Sequence, residues 1–343
     1  MAKITSKEEV IAQQYCRFSS NEAAGVSARY EALALSASRN SELLKKLALL
    51  PPEKVQPNLL FGVLQMMIGD MESAEAKLDI ALSRWDEVSD EIMHRSTQTN
   101  EPGRCATLLP LLAKLPQPLA LLEVGASAGL CLIPDFYDYK YGKVTLRGKN
   151  SSVNTPVFQC DVTPDGVIPT AMPEIVWRAG IDIEPVDIEN AGSREWLEAL
   201  VWPEHKVRRE NLRRAIEISR NIRPEIHRFR LEDDFSSVIE TAPRNATLII
   251  FHSAVLAYVD RRTRAQFAER LAATRCIWIS NEAVGVIKPS RSLFEPPVPQ
   301  GSFELRCNGQ LVAETAPHGQ WMNWKINDAT QMPATFMKTP SLT

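Results

Sequence analysis

The chain has 343 residues, 44% hydrophobic and 24% charged, with a formal net charge of −3. That is the profile of a soluble globular protein of one large domain or two ordinary ones, and the charge argues neither for nor against a nucleic-acid partner. Six widely spaced cysteines (Cys16, Cys105, Cys131, Cys160, Cys276 and Cys307) with no C-x-x-C exclude an ordinary structural zinc site. The longest nearly apolar run, "ATLIIFHSAVLAYV", is interrupted by His252 and Ser253 and is too short to cross a bilayer. "MAKITSKEEVIAQQ" has no apolar signal core, so a cytoplasmic protein with reduced thiols is expected.

Residues 1–100 read as an all-helical subdomain. Ser6 and Glu9 form a capping-box pattern, and Val10, Ile11, Tyr15 and Phe18 follow as a helical stripe. "SARYEALALSAS", "NSELLKKLALL", "PNLLFGVLQMMIGD" and "SAEAKLDIALSRW" repeat this pattern between Pro, Asn and Gly-Asp breaks. In "TNEPGR", Asn100 is placed to cap a helix with Pro102 at its first position. That helix, about ten residues long, ends at Pro116 and Pro118.

Residues 101–343 read as α/β. Leu119–Val124 is an almost wholly apolar run that stops at Gly125, the pattern of a strand buried on both faces. "YGKVTLRGKNSSVNTPVFQCDV", about residues 141–163, reads as an inserted hairpin. "EIVWRAGIDI", "EIHRFRL", "ATLIIFHS" and "RCIWISNE" are strand-like runs separated by helical stretches, which predicts a parallel sheet covered by helices. Asn308-Gly309 between two alternating runs predicts a closing antiparallel hairpin.

"EVGASAG" sits where a doubly wound sheet binds its ligand, at the carboxyl end of the first strand. Glycine there takes positive φ and admits a ligand close to the backbone, and a following helix offers its free N–H groups. Gly125, Ala126, Ser127 and Gly129 suit that role, with Glu123 just before the turn. Asp182 ends the next strand, where a carboxylate can accept two ribose hydroxyls; "LEDDF" ends the third, with Asp233 placed for an adenine amino group. His252, at the tip of a very apolar strand, is either a general base or a hydrogen-bonded histidine holding its loop. Asn281 and Glu282 hold the same place on the next strand, to orient a substrate or cap a turn. Arg104 can grip a carboxylate in two-point fashion, and His318 with Trp321 can close the pocket or anchor the tail.

Taken in order, "EVGASAG", "GIDIEP", "LEDDF", "IIFHSAVLAYV", "WISNE" and "RCNGQLVAE" resemble the class I, seven-stranded methyltransferases that use S-adenosylmethionine. More closely, "TQTNEPGRCATLLPLLAKLPQPLALLEVGASAGLCL", "LVWPE", "FHSAVLAYV" and "PHGQW" resemble a bacterial family catalogued as a domain of unknown function. The resemblance implies a Rossmann-like methyltransferase sheet behind the helical region. It implies that Glu123, Gly125, Ser127, Gly129, Asp182 and Asp233 bind S-adenosylmethionine, with Ala126 expected in the same turn; it brings no established substrate, and a small acceptor is expected. Beside the resemblance, the positions of the residues lead us to expect catalysis at His252 and Glu282 and acceptor contacts from Asn100, Arg104, Asn281 and His318. The sequence departs from the family where Ser127 or Ala128 replaces a glycine.

Two other functions fit the letters. A non-catalytic binding or regulatory protein can use the same sheet. A serine hydrolase is spelled by G-x-S-x-G, with Ser127 as nucleophile, Asp182 or Asp233 as acid and His252 or His318 as base. No strand and no second oxyanion donor is expected upstream, which speaks against the hydrolase. Residues 204–230 carry nine Lys/Arg against four Asp/Glu, but without interleaved aromatics they read as a solvated helix face, so neither a nucleic-acid nor a membrane partner is expected.

Overall fold

The computed structural model describes residues 6–70, 73–98, 100–287, 299 and 301–326. Its helices are α1 (Lys7–Phe18), α2 (Ala28–Arg39), α3 (Ser41–Leu47), α4 (Pro57–Ile68), α5 (Ala74–Ser83), α6 (Trp85–His94), α7 (Cys105–Leu112), α8 (Ala191–Ala199), α9 (Lys206–Ile222), α10 (Ser236–Ile239) and α11 (Arg261–Ala273). Its strands are β1 (Leu119–Val124), β2 (Asp138–Tyr141), β3 (Val144–Leu146), β4 (Val157–Gln159), β5 (Asp161–Thr163), β6 (Ile175–Asp182), β7 (Glu225–Arg228), β8 (Thr247–Ser253), β9 (Ile277–Ala283), β10 (Phe303–Cys307), β11 (Gln310–Thr315) and β12 (Trp321–Trp324). Residues 1–99 with 189–210 form one compact unit, and 100–188 with 211–343 form the other.

The first unit is helical among the described residues. Its caps are those the residues dictate: Ser6 and Glu9 close the capping box of α1, and the side chains of Ser27, Asn40 and Ser73 cap α2, α3 and α5. Tyr15, Phe18 and Tyr30 surround Phe61 edge-on, at ring-centre distances of 5.8, 5.7 and 5.1 Å. Residues 189–210 return to this unit through α8, where the buried Trp196 packs onto Gly62 of α4; a Cβ at Gly62 would stand 2.9 Å from the indole. The indole N–H donates to Ser96 O at 2.9 Å, so the ring is fully used.

The second unit is built on a mixed, mostly parallel sheet. Nine strands are seen among the described residues, in the order β5-β12-β11-β10-β9-β8-β1-β6-β7. β1 lies between parallel neighbours: Glu123 pairs with Gly180 of β6 on one side and Phe251 of β8 on the other. All six residues of β1 are buried, which is why its sequence is apolar without alternation. The chain first builds outward on one side of β1 (β6, then β7) and then on the other (β8, then β9), so the strand order reverses beside β1. In open α/β sheets ligands bind at that reversal, beyond the carboxyl ends of the strands.

Among the described residues the sheet has nine strands where seven were expected, with β12 and β5 extending it beyond the closing hairpin. That hairpin forms as expected, with Asn308 (φ 47°) and Gly309 (φ 81°) both left-handed in its turn. The region around 141–163 is not a simple hairpin. β3, β2 and β4 make a separate three-stranded sheet, and β5 pairs with β12 of the large one. No α-helix follows Gly129; Leu130–Leu132 and Pro134–Phe136 are single 3-10 turns. Pro134 removes a donor where a helix would need one, and Tyr137 and Tyr139 donate their hydroxyls to Leu130 O and Pro134 O. Asn100 is not the helix cap it resembles: Glu101 accepts from Gly103 N–H at the 3-10 turn that precedes α7.

Candidate functional site

The carboxyl ends of β1, β6, β8 and β9 carry most of the candidates. Glu123 and Gly125 leave β1, Asp182 ends β6, His252 and Ser253 end β8, and Asn281 and Glu282 end β9. Asp233 stands apart: it is exposed and turns Oδ2 onto Arg230 N–H at 2.7 Å.

The turn after β1 is held by the protein itself. Gly125 and Ala126 N–H both donate to Ile181 O, at 2.8 and 3.1 Å, and Gly129 N–H to Ala126 O at 2.7 Å. Ser127 N–H donates to Asp182 Oδ2 at 2.7 Å, while Asp182 Oδ1 accepts from Glu184 N–H at 2.8 Å. Asn100 clamps the far end: its Oδ1 accepts from Leu130 N–H at 2.8 Å and its Nδ2 donates to Ala126 O at 3.2 Å. The expectation that this turn and a following helix present free N–H groups to a ligand is therefore corrected at Gly125, Ala126, Ser127 and Gly129. Ser127 takes φ of 49°, the left-handed conformation that glycine adopts more readily.

The glycines leave room that side chains fill. A Cβ on Gly125 (φ 71°) would stand 2.4 Å from Val255 Cγ2, and one on Gly129 (φ 70°) would stand 2.9 Å from Ile226 Cδ1. The bare face of Gly125 thus admits the loop after β8.

His252 is locked. Trp278 Nε1 can only donate, and it donates to His252 Nε2 at 2.9 Å. Nδ1 therefore carries the ring hydrogen and donates to Glu282 Oε1 at 2.6 Å. The same oxygen accepts from Val255 and Leu256 N–H at 3.0 and 3.1 Å. Burial pushes the Glu282 carboxyl up, but the hydrogen bonds from His252 Nδ1–H and the two amides outweigh it and hold the carboxyl below its ordinary value. In this geometry the imidazole has no lone pair turned toward a substrate.

Glu123 is the opposite case. It is 3% exposed, and burial with nearby Cys131 pushes its carboxyl well above the usual range, against the pull of Arg104. Three oxygens in this region are buried without a hydrogen-bond partner: Glu123 Oε2, Ser127 Oγ and Glu282 Oε2. Ser127 Oγ consequently has no base in contact, and the strand–turn–helix of a nucleophile elbow is absent.

Arg104 donates to Pro317 O at 2.9 Å and Ser253 O at 3.0 Å. His318 lies 3.7 Å from Glu101 Oε2. Asn281 Nδ2 donates to Ser253 Oγ at 3.2 Å and its Oδ1 accepts from Thr315 at 2.9 Å. A cavity of about 20 Å³ between Arg104, Cys105, Cys131, His252, Ser253 and Asn281 has room for about one water. Val255 and Trp278 decide how the site is shaped, yet neither stands out in the sequence, because each acts through a partner distant along the chain. Among the described residues no group of three or more His, Cys, Asp or Glu could hold a metal ion, and no helix is long and apolar enough to cross a membrane.

The fold is thus that of a mixed α/β protein whose polar groups converge where the order of a mostly parallel sheet reverses. Residues 12–324 match a family model, and the chain belongs to that family, DUF2332, described as "Uncharacterized protein conserved in bacteria". Neither a curated protein nor a solved structure matches the chain.

Proposed function

We propose that this protein is an S-adenosylmethionine-dependent methyltransferase on a Rossmann-like sheet, acting on a small acceptor. One observation carries the reading: Glu123 Oε2, Ser127 Oγ and Glu282 Oε2 are buried without partners beside the reversal of strand order. Buried polar atoms are ordinarily satisfied, and an unsatisfied set at a ligand-binding edge calls for a polar ligand. The donor set fits the group. Asp182 keeps lone pairs for ribose hydroxyls beside those used by Ser127 and Glu184, and Ser127 and Glu123 would hold its methionine end. The cofactor, when bound, supplies an electrophilic methyl group. Space is the departure: pockets for such ligands are at least about 300 Å³. Val255 must leave the face of Gly125, so the loop after β8 moves in this reading. Glu282, ionised and with Oε2 free, is the proton acceptor the geometry favours, and His252 positions it.

A second reading has its own support. The contact of Val255 with Gly125 is what a non-catalytic protein that keeps the sheet and closes the site would show. Calorimetry with S-adenosylmethionine and S-adenosylhomocysteine separates the two. The first reading expects binding by the wild type, at least tenfold weaker binding by Asp182→Asn, and binding no weaker than wild type by Val255→Ala. No binding at millimolar ligand by either wild type or Val255→Ala overturns it.

A further inference from the structure

The buried side-chain bonds from Trp278 to Glu282 all run one way. Trp278, 2% exposed on β9, is gripped by the turn between β10 and β11: its N–H donates to Asn308 Oδ1 at 2.8 Å, and its carbonyl accepts from Asn308 N–H at 2.7 Å. Phe267 of α11 meets the indole edge-on, with ring centres 6.3 Å apart. The indole is thus held with Nε1–H on His252 Nε2 at 2.9 Å, and His252 Nδ1–H continues to Glu282 Oε1 at 2.6 Å. His252 is 1% exposed, and these two bonds use both of its ring nitrogens.

This arrangement limits where a proton can go. A second proton on His252 would have to sit on Nε2, facing the indole N–H across 2.9 Å. Two donors cannot bond to each other, so an imidazolium must break the Trp278 bond and strand a buried N–H. Glu282 favours the imidazolium. Arg104, which lines the same small cavity as His252, opposes it; Cys105 and Cys131 line that cavity as free thiols. From α11 the ring is met edge-on by Phe267, which carries no charge.

We propose that Trp278 is a positioning residue for Glu282: it keeps His252 neutral, so that a proton taken up by this pair stays on Glu282. The consequence for catalysis rests on the reading of Glu282 as the proton acceptor. In that step the bond from the substrate's nucleophilic atom to hydrogen breaks, its electron pair stays on the substrate, and an O–H bond forms at Glu282 Oε2, which the protein leaves without a partner. His252 keeps its hydrogen on Nδ1 and its bond to Oε1 throughout. Without the indole N–H, Nε2 is free to take a proton from water, and Glu282 then faces an imidazolium that weakens it as a base.

The test uses the full chain with 15N-labelled histidine and follows the ring nitrogens by NMR between about pH 8 and pH 5. His252→Gln identifies the His252 signals. The titration is run on the protein alone, so its outcome and that of the cofactor calorimetry can fail separately. Wild-type His252 is expected to be the neutral Nδ1–H tautomer at neutral pH, with a midpoint below the ordinary histidine value of about 6.5. Trp278→Phe keeps an aromatic ring and removes the donor; there His252 is expected to bind a proton at least about threefold more tightly. Glu282→Gln keeps the accepting oxygen, and the Nδ1–H tautomer is expected to persist, because Trp278 sets it. A wild-type midpoint at or above about 6.5 overturns the proposal. So does an Nε2–H tautomer in the wild type or in Glu282→Gln, or a smaller change in proton affinity in Trp278→Phe. Should Trp278→Phe not fold, the wild-type and Glu282→Gln results decide alone.

Discussion

Lys77 and Glu123 show how burial acts at the scale of one residue. Both are pushed toward their neutral forms, but only Lys77 has an opposing carboxylate, Asp70, within one hydrogen-bonded step, through Gln65. Holding an ammonium at about 8 rather than 10.5 costs about 3 kcal/mol of stability at pH 7. Lys77→Met removes that cost and strands Gln65 Oε1, at a loss of about 1 kcal/mol. The variant is therefore expected to be more stable than wild type by about 2 kcal/mol at pH 7, measured by urea unfolding. Between pH 8 and 10.5 the unfolded wild type holds a proton that the folded wild type has lost, so wild-type stability rises with pH and the advantage shrinks. An advantage that persists unchanged at pH 10 contradicts this account.

At the scale of the element, the turn from β1 is decided by what meets it. Gly125→Ala adds left-handed strain and drives a methyl into Val255, a combined cost of about 3 kcal/mol. Val255→Ala removes the facing methyls. The double variant is expected to lose less stability than the sum of the two single variants, by at least about 1 kcal/mol in a denaturation cycle; additive losses would mean that the two residues do not meet. Much of this element is legible in the residues. Leu119–Val124 reads as a doubly buried strand, Gly125 as its end and Asp182 as the tip of its neighbour, since each follows from local pattern. The clamp of Asn100 on Leu130, the filling of Gly125 by Val255 and the bond from Trp278 to His252 are not legible. Each joins residues at least 26 apart in the chain, and composition carries no record of which side chains meet. The missing helix after Gly129 has a local trace in Pro134, but the tyrosine hydroxyls that hold the 3-10 turns lie beyond any periodicity.

At the scale of the whole molecule, the chain leaves its sheet to complete its helices. An all-helical region of 1–100 accounts for only part of the first unit, because residues 189–210 supply Trp196 and Ala199 to its core. A chain reduced to 101–343 would strip Trp196 of Gly62 and Ser96. That truncation is expected to expose the indole, with red-shifted fluorescence and rapid proteolysis within 189–210. Protection equal to the full chain would show that these residues do not depend on the helices.

We propose a cofactor site at the reversal of strand order beside β1. A crystal structure grown with saturating S-adenosylhomocysteine tests it most directly. The account predicts density beyond the carboxyl ends of β1 and β6, with the ribose hydroxyls against Asp182, Ser127 Oγ in contact with the ligand and Val255 displaced from Gly125. Density elsewhere, or a Val255 still seated on Gly125 at saturation, would contradict it.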